Sequence, residues 1–347
     1  MNFLELANRE ARQRAETDPH VAIILVAPMT ASPYPICLTQ TAGSRSSTAT
    51  IPVSTNAIQA FNDARRNRWR KLPMDHVVDF YSRHPISAEQ ILAKLRLERG
   101  HLDGLKPDEL FPHDQDHYGG IGANDALAKR AGIREGDRVA DFCAGLGGPA
   151  RYWSFRFGGD VTGIDLSPNR VQGAAELTAL VGLEQRVRVI EGDVTRTGLP
   201  SEGFDVVVSQ EAFLHVPDKA GALAEAFRLL RPGGRLAFTD WVVHRPLTPD
   251  EAEAMWRGMA AQTVQSAESY RDLLHSGGFI VRSVEDLTEE WGMILEQRFA
   301  MYRKLRQETL RQGLPAGDEE FYSAYGKLVE LVKGRVLGGG RFAAEKP

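Results

Sequence analysis

The chain has 347 residues, of which 42% are hydrophobic and 25% charged, and its formal net charge is −4. This composition is ordinary for a globular protein of about two domains, and the slight negative charge gives no general attraction to nucleic acid or anionic membrane. The two cysteines, Cys37 and Cys143, stand far apart and outside metal-ligand spacing, which argues against a disulfide framework or zinc cluster and fits a reducing cytoplasm.

Residues 3–16 have the pattern of a short amphipathic helix. Val21–Met29 is apolar but shorter than the roughly 20 residues of a membrane span. The mixed charges before it differ from the basic flank of a signal peptide, so it reads as a short buried strand. Residues 30–56, rich in Thr, Ser, Pro and Ala, read as an irregular connection. Arg65–Lys71 sets five basic residues around Trp69; in a mildly acidic chain a solvated helix face explains this better than a nucleic-acid patch. Ser87–Leu97 opens with a capping serine and spaces Ile91, Leu92 and Leu95 along one helical face. Residues 1–100 are thus expected to form a helical and irregular N-terminal extension. Residues 101–136 follow as a lid and leading helix, with His117-Tyr118-Gly119-Gly120 ahead of a helix from Ala123 to Ala131 that Gly132 ends. The aromatic and imidazole groups beside paired glycines read either as a lid over a cofactor or as a turn with a packed Tyr118.

From Arg138 the pattern changes to short apolar runs alternating with helical stretches, the mark of a parallel α/β sheet. Strands are expected at Val139–Phe142, Val161–Ile164, Val187–Ile190, Phe204–Ser209, Leu236–Thr239 and Ile280–Val284, with helices at Val171–Val181 and Lys219–Leu230 among others. Arg231-Pro232-Gly233-Gly234 reads as a helix stop and turn before the next strand. A doubly wound domain over about 122–287, its ligand-binding part running from 137 to 287, should hold its ligand at the C-terminal ends of the strands.

The first of these units, RVADFCAGLGGPAR at 138–151, is a strand, an acid, a glycine-rich turn and a helix start. Glycines allow close backbone approach, and a helix N-terminus offers N–H groups to an anion. Two cofactors compete for such a turn. Gly145, Gly147 and Ala150 satisfy the dinucleotide pattern, and Asp165 stands twenty residues past Gly145, where a ribose-binding acid belongs. Against a dinucleotide, Asp141 would repel a pyrophosphate. S-adenosylmethionine presents an ammonium to Asp141 instead, and its carboxylate to the helix N-terminus.

Over about residues 115–347 the sequence resembles the class I S-adenosylmethionine-dependent methyltransferases. The first motif of that family is matched by Asp141 to Gly147, with Cys143 where glycine is commonest, a departure that requires the position not to need a positive φ. Gly163-Ile164-Asp165-Leu166-Ser167 matches the second motif, which implies Asp165 on the ribose hydroxyls. Gly192-Asp193-Val194 matches the adenine-contacting step, with Asp193 toward the exocyclic amine. Ser209 to His215 matches the segment bordering the methyl donor, and LLRPGG at 229–234 the turn before the fifth strand. GLGGPAR at 145–151, SQEAFLHVPDK at 209–219 and FTD at 238–240 look most like the branch holding sarcosine and dimethylglycine methyltransferases. The resemblance implies a Rossmann-like α/β sheet with a helical C-terminal insertion, residues 288–347, as substrate cover around a glycine-rich last strand at Gly338–Phe342. It also implies a cofactor site of Tyr118, Asp141, Gly145, Gly147, Asp165, Leu166, Asp193, Val194 and Gln210, with no metal.

Methyl transfer needs in-line positioning, exclusion of water and an unprotonated nucleophile. His215 is the leading candidate base, because imidazole titrates in the useful range; ordering its own loop is the competing role. Glu211 is a second candidate, as base, as partner of a cationic substrate or as a helix cap, and Tyr118 is a third catalytic candidate. Trp241, His244 and Trp256 lie where a substrate pocket is expected, although tryptophans there are more often core. The expected acceptor is a small molecule, with an amine nitrogen ahead of carbon or oxygen. An NAD-dependent oxidoreductase and a non-catalytic cofactor-binding protein are the readings from other classes. Met301, Leu305 and Leu310 have helical spacing suited to core or homo-oligomer packing.

Overall fold

The strand-forming runs assemble into one sheet, seen in a computed structural model that describes residues 75–82, 86–311 and 319–347. The elements expected at 3–16, 21–29 and 30–56, and the basic run at 65–71, lie outside the described residues. β1 (Arg138–Phe142), β2 (Asp160–Asp165), β3 (Val187–Glu191), β4 (Phe204–Gln210) and β5 (Leu230–Val243) pair in parallel. With β6 (Ile280–Asp286) and β7 (Leu337–Glu345) the sheet has seven strands in the order β3-β2-β1-β4-β5-β7-β6, and β7 runs antiparallel to both neighbours. The order reverses between β1 and β4, so the C-terminal ends of these adjacent strands flank the crevice where such sheets bind ligands.

Successive residues of the central strands bury on opposite faces, which is why the strands read as unbroken apolar runs. Val139, Val161, Val206 and Val208 pack against Leu127 of α4 (Gly120–Ala131) and Ala150 and Trp153 of α5 (Gly148–Phe157). Ala140, Ile164, Val207 and Phe238 pack on the other side against Leu223 and Ala226 of α7 (Lys219–Leu229) and Tyr270 of α9 (Ala267–Ser276).

One boundary differs from expectation. β5 begins at Leu230, because Gly233 takes φ +73 and its N–H bonds the Lys346 carbonyl, so the RPGG turn is carried within an irregular strand. β7 contains Gly338–Phe342 and completes the sheet. Ile91, Leu92 and Leu95 of α2 (Ala88–Arg99) join Leu146, and Leu177 of α6 (Pro168–Leu180), in one apolar cluster. α2 is capped by Ser87, whose hydroxyl accepts the Gln90 N–H. Short α1 (Asp75–Ser82) precedes it, and α3 (Pro107–Leu110) follows. α8 (Pro249–Met259), α10 (Thr288–Arg311) and α11 (Glu319–Lys333) form the cover. Among the described residues no helix is long and apolar enough to cross a membrane.

Gly148 opens α5 where the chain before α4 passes closest: a Cβ there would lie 2.0 Å from the Asp114 carbonyl oxygen. Gly148→Ala should therefore force the two segments apart and cost about 1–3 kcal/mol, measured as a lower urea midpoint at unchanged slope.

Candidate active site

β1 delivers Asp141 to the crevice, and the chain turns at once through Cys143 (φ +59), Gly145 (φ +55) and Gly147 (φ +73) into α5. Cys143 thus does adopt the left-handed conformation that its replacement of glycine was expected to avoid. Such a conformation costs a non-glycine residue about 1–2 kcal/mol, and the apolar cluster against which Cys143 packs holds it there. Asp141 is 2% exposed, and among the described residues its Oδ2 has no hydrogen-bond partner. Burial, reinforced by the nearby Asp165 charge, pushes its carboxyl well above the usual range. An orphaned buried carboxylate beside a helix N-terminus is suited to a ligand bearing both an ammonium and an anion.

Asp165, at the end of β2, ties two loops together: Oδ2 accepts the Gly145 N–H at 2.8 Å and Oδ1 the Ser167 N–H at 2.9 Å. Burial raises its carboxyl and these two donors oppose the rise. Asp193 is fixed by the Thr195 N–H and hydroxyl on Oδ1, both at 2.8 Å, with Val194 buried beside it. Leu166 is half-buried next to Asp165.

A polar chain reaches the end of β4 from the segment before α4. Arg151 donates twice to Asp114 Oδ2, and Gln115 Nε2 donates to Asp114 Oδ1 at 2.6 Å. Gln115 Oε1 accepts from Asn124 Nδ2 at 2.6 Å and contacts His117 Nε2 at 3.0 Å. His117 Nδ1 lies between the Tyr118 carbonyl at 3.2 Å and Gln210 Nε2 at 3.1 Å. Gln210 Oε1 is left buried with no partner among the described residues. The next residue, Glu211, also holds a left-handed φ of +55, and the Tyr118 N–H spans both its carboxylate oxygens at 2.9 and 3.1 Å. Burial pushes the Glu211 carboxyl well up, against the Tyr118 N–H and the Arg298 charge.

The Tyr118 ring is part of an aromatic wall. It lies 5.6 Å from Trp241 and 5.2 Å from Trp291, with the Arg298 guanidinium 4.8 Å over its face. Both tryptophans are core residues, 1% and 2% exposed. His244 is not brought to this wall: its Nε2 meets Thr288 Oγ1 at 2.9 Å, at the start of α10.

His215 lies in a one-turn helix after β4. Its Nδ1 contacts the Ala260 carbonyl at 3.2 Å, which only a donor can satisfy, so its Nε2 accepts from the Tyr81 hydroxyl at 2.9 Å. Tyr81 comes from α1, with the Arg170 guanidinium 4.7 Å over its ring, and the charges of Asp116 and Asp165 act on its hydroxyl. The structure therefore brings His117, Tyr118, Gln210 and Glu211 together, and it pairs His215 with a residue the sequence reading missed. Trp291 and Arg298 were missed as well. Their spacing of seven on one face of α10 was the available signal.

The sheet order with an antiparallel β7 and the glycine turn between acids on β1 and β2 are those of the class I methyltransferase fold. Residues 140–238 match the methyltransferase domain family. Phosphoethanolamine N-methyltransferase 3 of Arabidopsis thaliana is 28% identical over 206 residues, which are 59% of this chain but only 41% of that protein. The structure of Haemonchus contortus phosphoethanolamine N-methyltransferase 2 with phosphomonomethylethanolamine and S-adenosylhomocysteine superposes with a TM-score of 0.62 at 24% identity, covering 78% of this chain and 60% of that one. A putative sarcosine dimethylglycine methyltransferase from Galdieria sulphuraria gives 0.59 at 19% identity, covering 75% and 98%. The chain carries the class I fold, and the residues at its strand ends fit S-adenosylmethionine.

Burial lowers the His117 imidazole to about 4. An unfolded imidazole takes its proton near 6.5, so between these values the unfolded state binds more protons. This contribution is complete above pH 6.5 and is lost as pH falls toward 4. His117→Asn should reduce the drop in unfolding free energy between pH 7 and pH 5 by about 2 kcal/mol, read from urea titrations of both proteins at each pH.

Proposed function

We propose that the chain is an S-adenosylmethionine-dependent methyltransferase that methylates the nitrogen of a small amine. The observation that carries this is the buried Oδ2 of Asp141 at the glycine turn, which has no partner among the described residues. It offers an ammonium a partner where a dinucleotide would present a pyrophosphate. Asp141 would hold the amino group of the cofactor and the N-terminus of α5 its carboxylate. Asp165 would take the ribose hydroxyls, Leu166 and Val194 would flank the adenine, Asp193 would meet the exocyclic amine, and Gln210 Oε1 would accept from the amino-acid end. When bound, the cofactor supplies a methyl group on a sulfonium, whose departure requires no acid.

The chain's own residues supply the rest. Glu211 stands where an ammonium-bearing acceptor would enter, and the arriving cation would favour the ionised form that burial disfavours, so that the carboxylate pairs with it. With its own proton on Nδ1, His215 can take the Tyr81 hydroxyl proton on Nε2 while the Tyr81 oxygen accepts one from the methyl acceptor. Tyr118 acts through its backbone on Glu211 and through its ring on the wall. Arg298 suits an acceptor with an anionic group, as in the phosphorylated amine of the Haemonchus complex. A small-molecule substrate and a cytoplasmic setting accord with the net charge of −4 and the two scattered cysteines.

Incubation with labelled adenosylmethionine and a panel of amines, with and without phosphate or carboxylate, tests the reading by mass spectrometry; transfer only to carbon or oxygen acceptors would overturn the nitrogen assignment. Asp165→Ala should weaken calorimetric cofactor binding by at least about tenfold, the loss of one charge-assisted hydrogen-bonding group. Tyr81→Phe and His215→Ala should each lower kcat by about 10²-fold while cofactor affinity stays within twofold of the parent. An unchanged rate in His215→Ala would return that residue to loop ordering.

A further inference from the structure

Two buried ionisable side chains have no part in the chemistry above: Lys219, 3% exposed, and Asp240, 0% exposed. They grip the backbone on either side of His215. Asp240 Oδ1 accepts the Leu214 N–H at 3.1 Å, and its other oxygen accepts the Tyr270 hydroxyl. Lys219 Nζ donates to the Val216 carbonyl at 3.1 Å, to the Thr263 carbonyl at 2.9 Å and to the Thr263 hydroxyl. Its three protons thus have three acceptors. The same two strips of chain are joined directly. The Leu214 carbonyl accepts from Gln262 N at 2.8 Å and Thr263 N at 3.2 Å, and His215 Nδ1 meets the Ala260 carbonyl. Ala260 itself is held at φ +49, a conformation that surrounding contacts must enforce.

We propose that Lys219 and Asp240 are positioning residues that clamp the 214–216 turn to residues 260–263 and so fix the tautomer and direction of the His215 imidazole. Buried charges are retained here because neutral groups would not hold this many backbone atoms from one point. Burial lowers Lys219 to about 8 and raises Asp240 to about 6, and each charge favours the ionised form of the other. Both are therefore charged at neutral pH. The Ala260 carbonyl stays within reach of Nδ1 only while the 260–263 strip is held, and with it the proton stays on Nδ1 and Nε2 stays an acceptor.

The inference rests on the reading of His215 as a base, and two measurements separate their fates. Nitrogen NMR of the His215 imidazole in the full chain should show one neutral tautomer protonated at Nδ1, and Lys219→Met should show a mixture. An unchanged single tautomer overturns the clamp, whether or not any amine is methylated. In a double-mutant cycle, Lys219→Met should lower kcat about tenfold in the parent but less than twofold in His215→Ala, with KM for the cofactor unmoved. Equal losses in both backgrounds overturn it. Asp240→Asn, isosteric and able to keep the Leu214 bond, is put through the same cycle and should show the same dependence on His215, which decides the matter if Lys219→Met does not fold.

Discussion

The ion pair of Asp114 and Arg151 lies wholly inside the protein, with neither side chain exposed. Taking two charges out of water costs several kcal/mol for each ion, and the pair persists because its remaining hydrogen-bonding capacity is filled. Arg151 donates to Ala174 and Thr178 as well as to Asp114, and Asp114 accepts from Gln115. From this point the chain of bonds runs outward through Gln115 and His117 to Gln210, while the neighbouring backbone of Tyr118 holds Glu211. The carbonyl of Asp114 is also the atom that leaves no room for a Cβ at Gly148. One buried pair therefore sets the start of the cofactor-facing helix and the last residues of β4 in the same frame.

The ends of β1 and β4 share a second constraint. Each is followed by a non-glycine residue in the left-handed region, Cys143 and Glu211. Such strain persists only where the surroundings over-determine it, and here it turns both strand ends toward the crevice at the switch in strand order. Four carboxyl groups gather there, Asp141, Asp165, Glu211 and Asp240, and burial raises every one of them. Lys219 answers Asp240, and an acid-rich pocket of this kind suits a cationic ligand. Under the proposed reading, the amino group and sulfonium of the methyl donor supply two such cations.

What the sequence disclosed follows from the range of each signal. The apolar runs of the strands, the capping serine of α2 and the glycine turn are local patterns, and they stand where the pattern put them. Tyr81 and His215 are 134 residues apart, and nothing in DFYSRHP marks its tyrosine as the partner of an imidazole. Lys219 reads as the first residue of a helix, yet its ammonium spans to Thr263. The φ of Cys143 was equally hidden, because a strained residue leaves no mark on its own type. The irregular start of β5 was misread because RPGG is turn chemistry, and only pairing with Lys346 near the end of the chain draws it into the strand.

The division of labour along the chain explains why methyl donor and acceptor differ so much in legibility. Asp141, the glycines, Asp165, Asp193, Gln210, Glu211 and His215 all fall within 140–238, the span matched to the methyltransferase domain family. Tyr81, His117 and Tyr118 precede that span, and Trp291 and Arg298 follow it. Under the proposed reading, the donor side is built from the strand ends of one sheet and the acceptor side from α1, the segment before α4 and α10. Replacing those flanking segments would then change the acceptor without disturbing the donor site, provided that the Asp114–Arg151 pair and the Tyr118 N–H are kept. The dependence runs both ways, because Glu211 on the sheet is itself held by the Tyr118 N–H from the segment before α4.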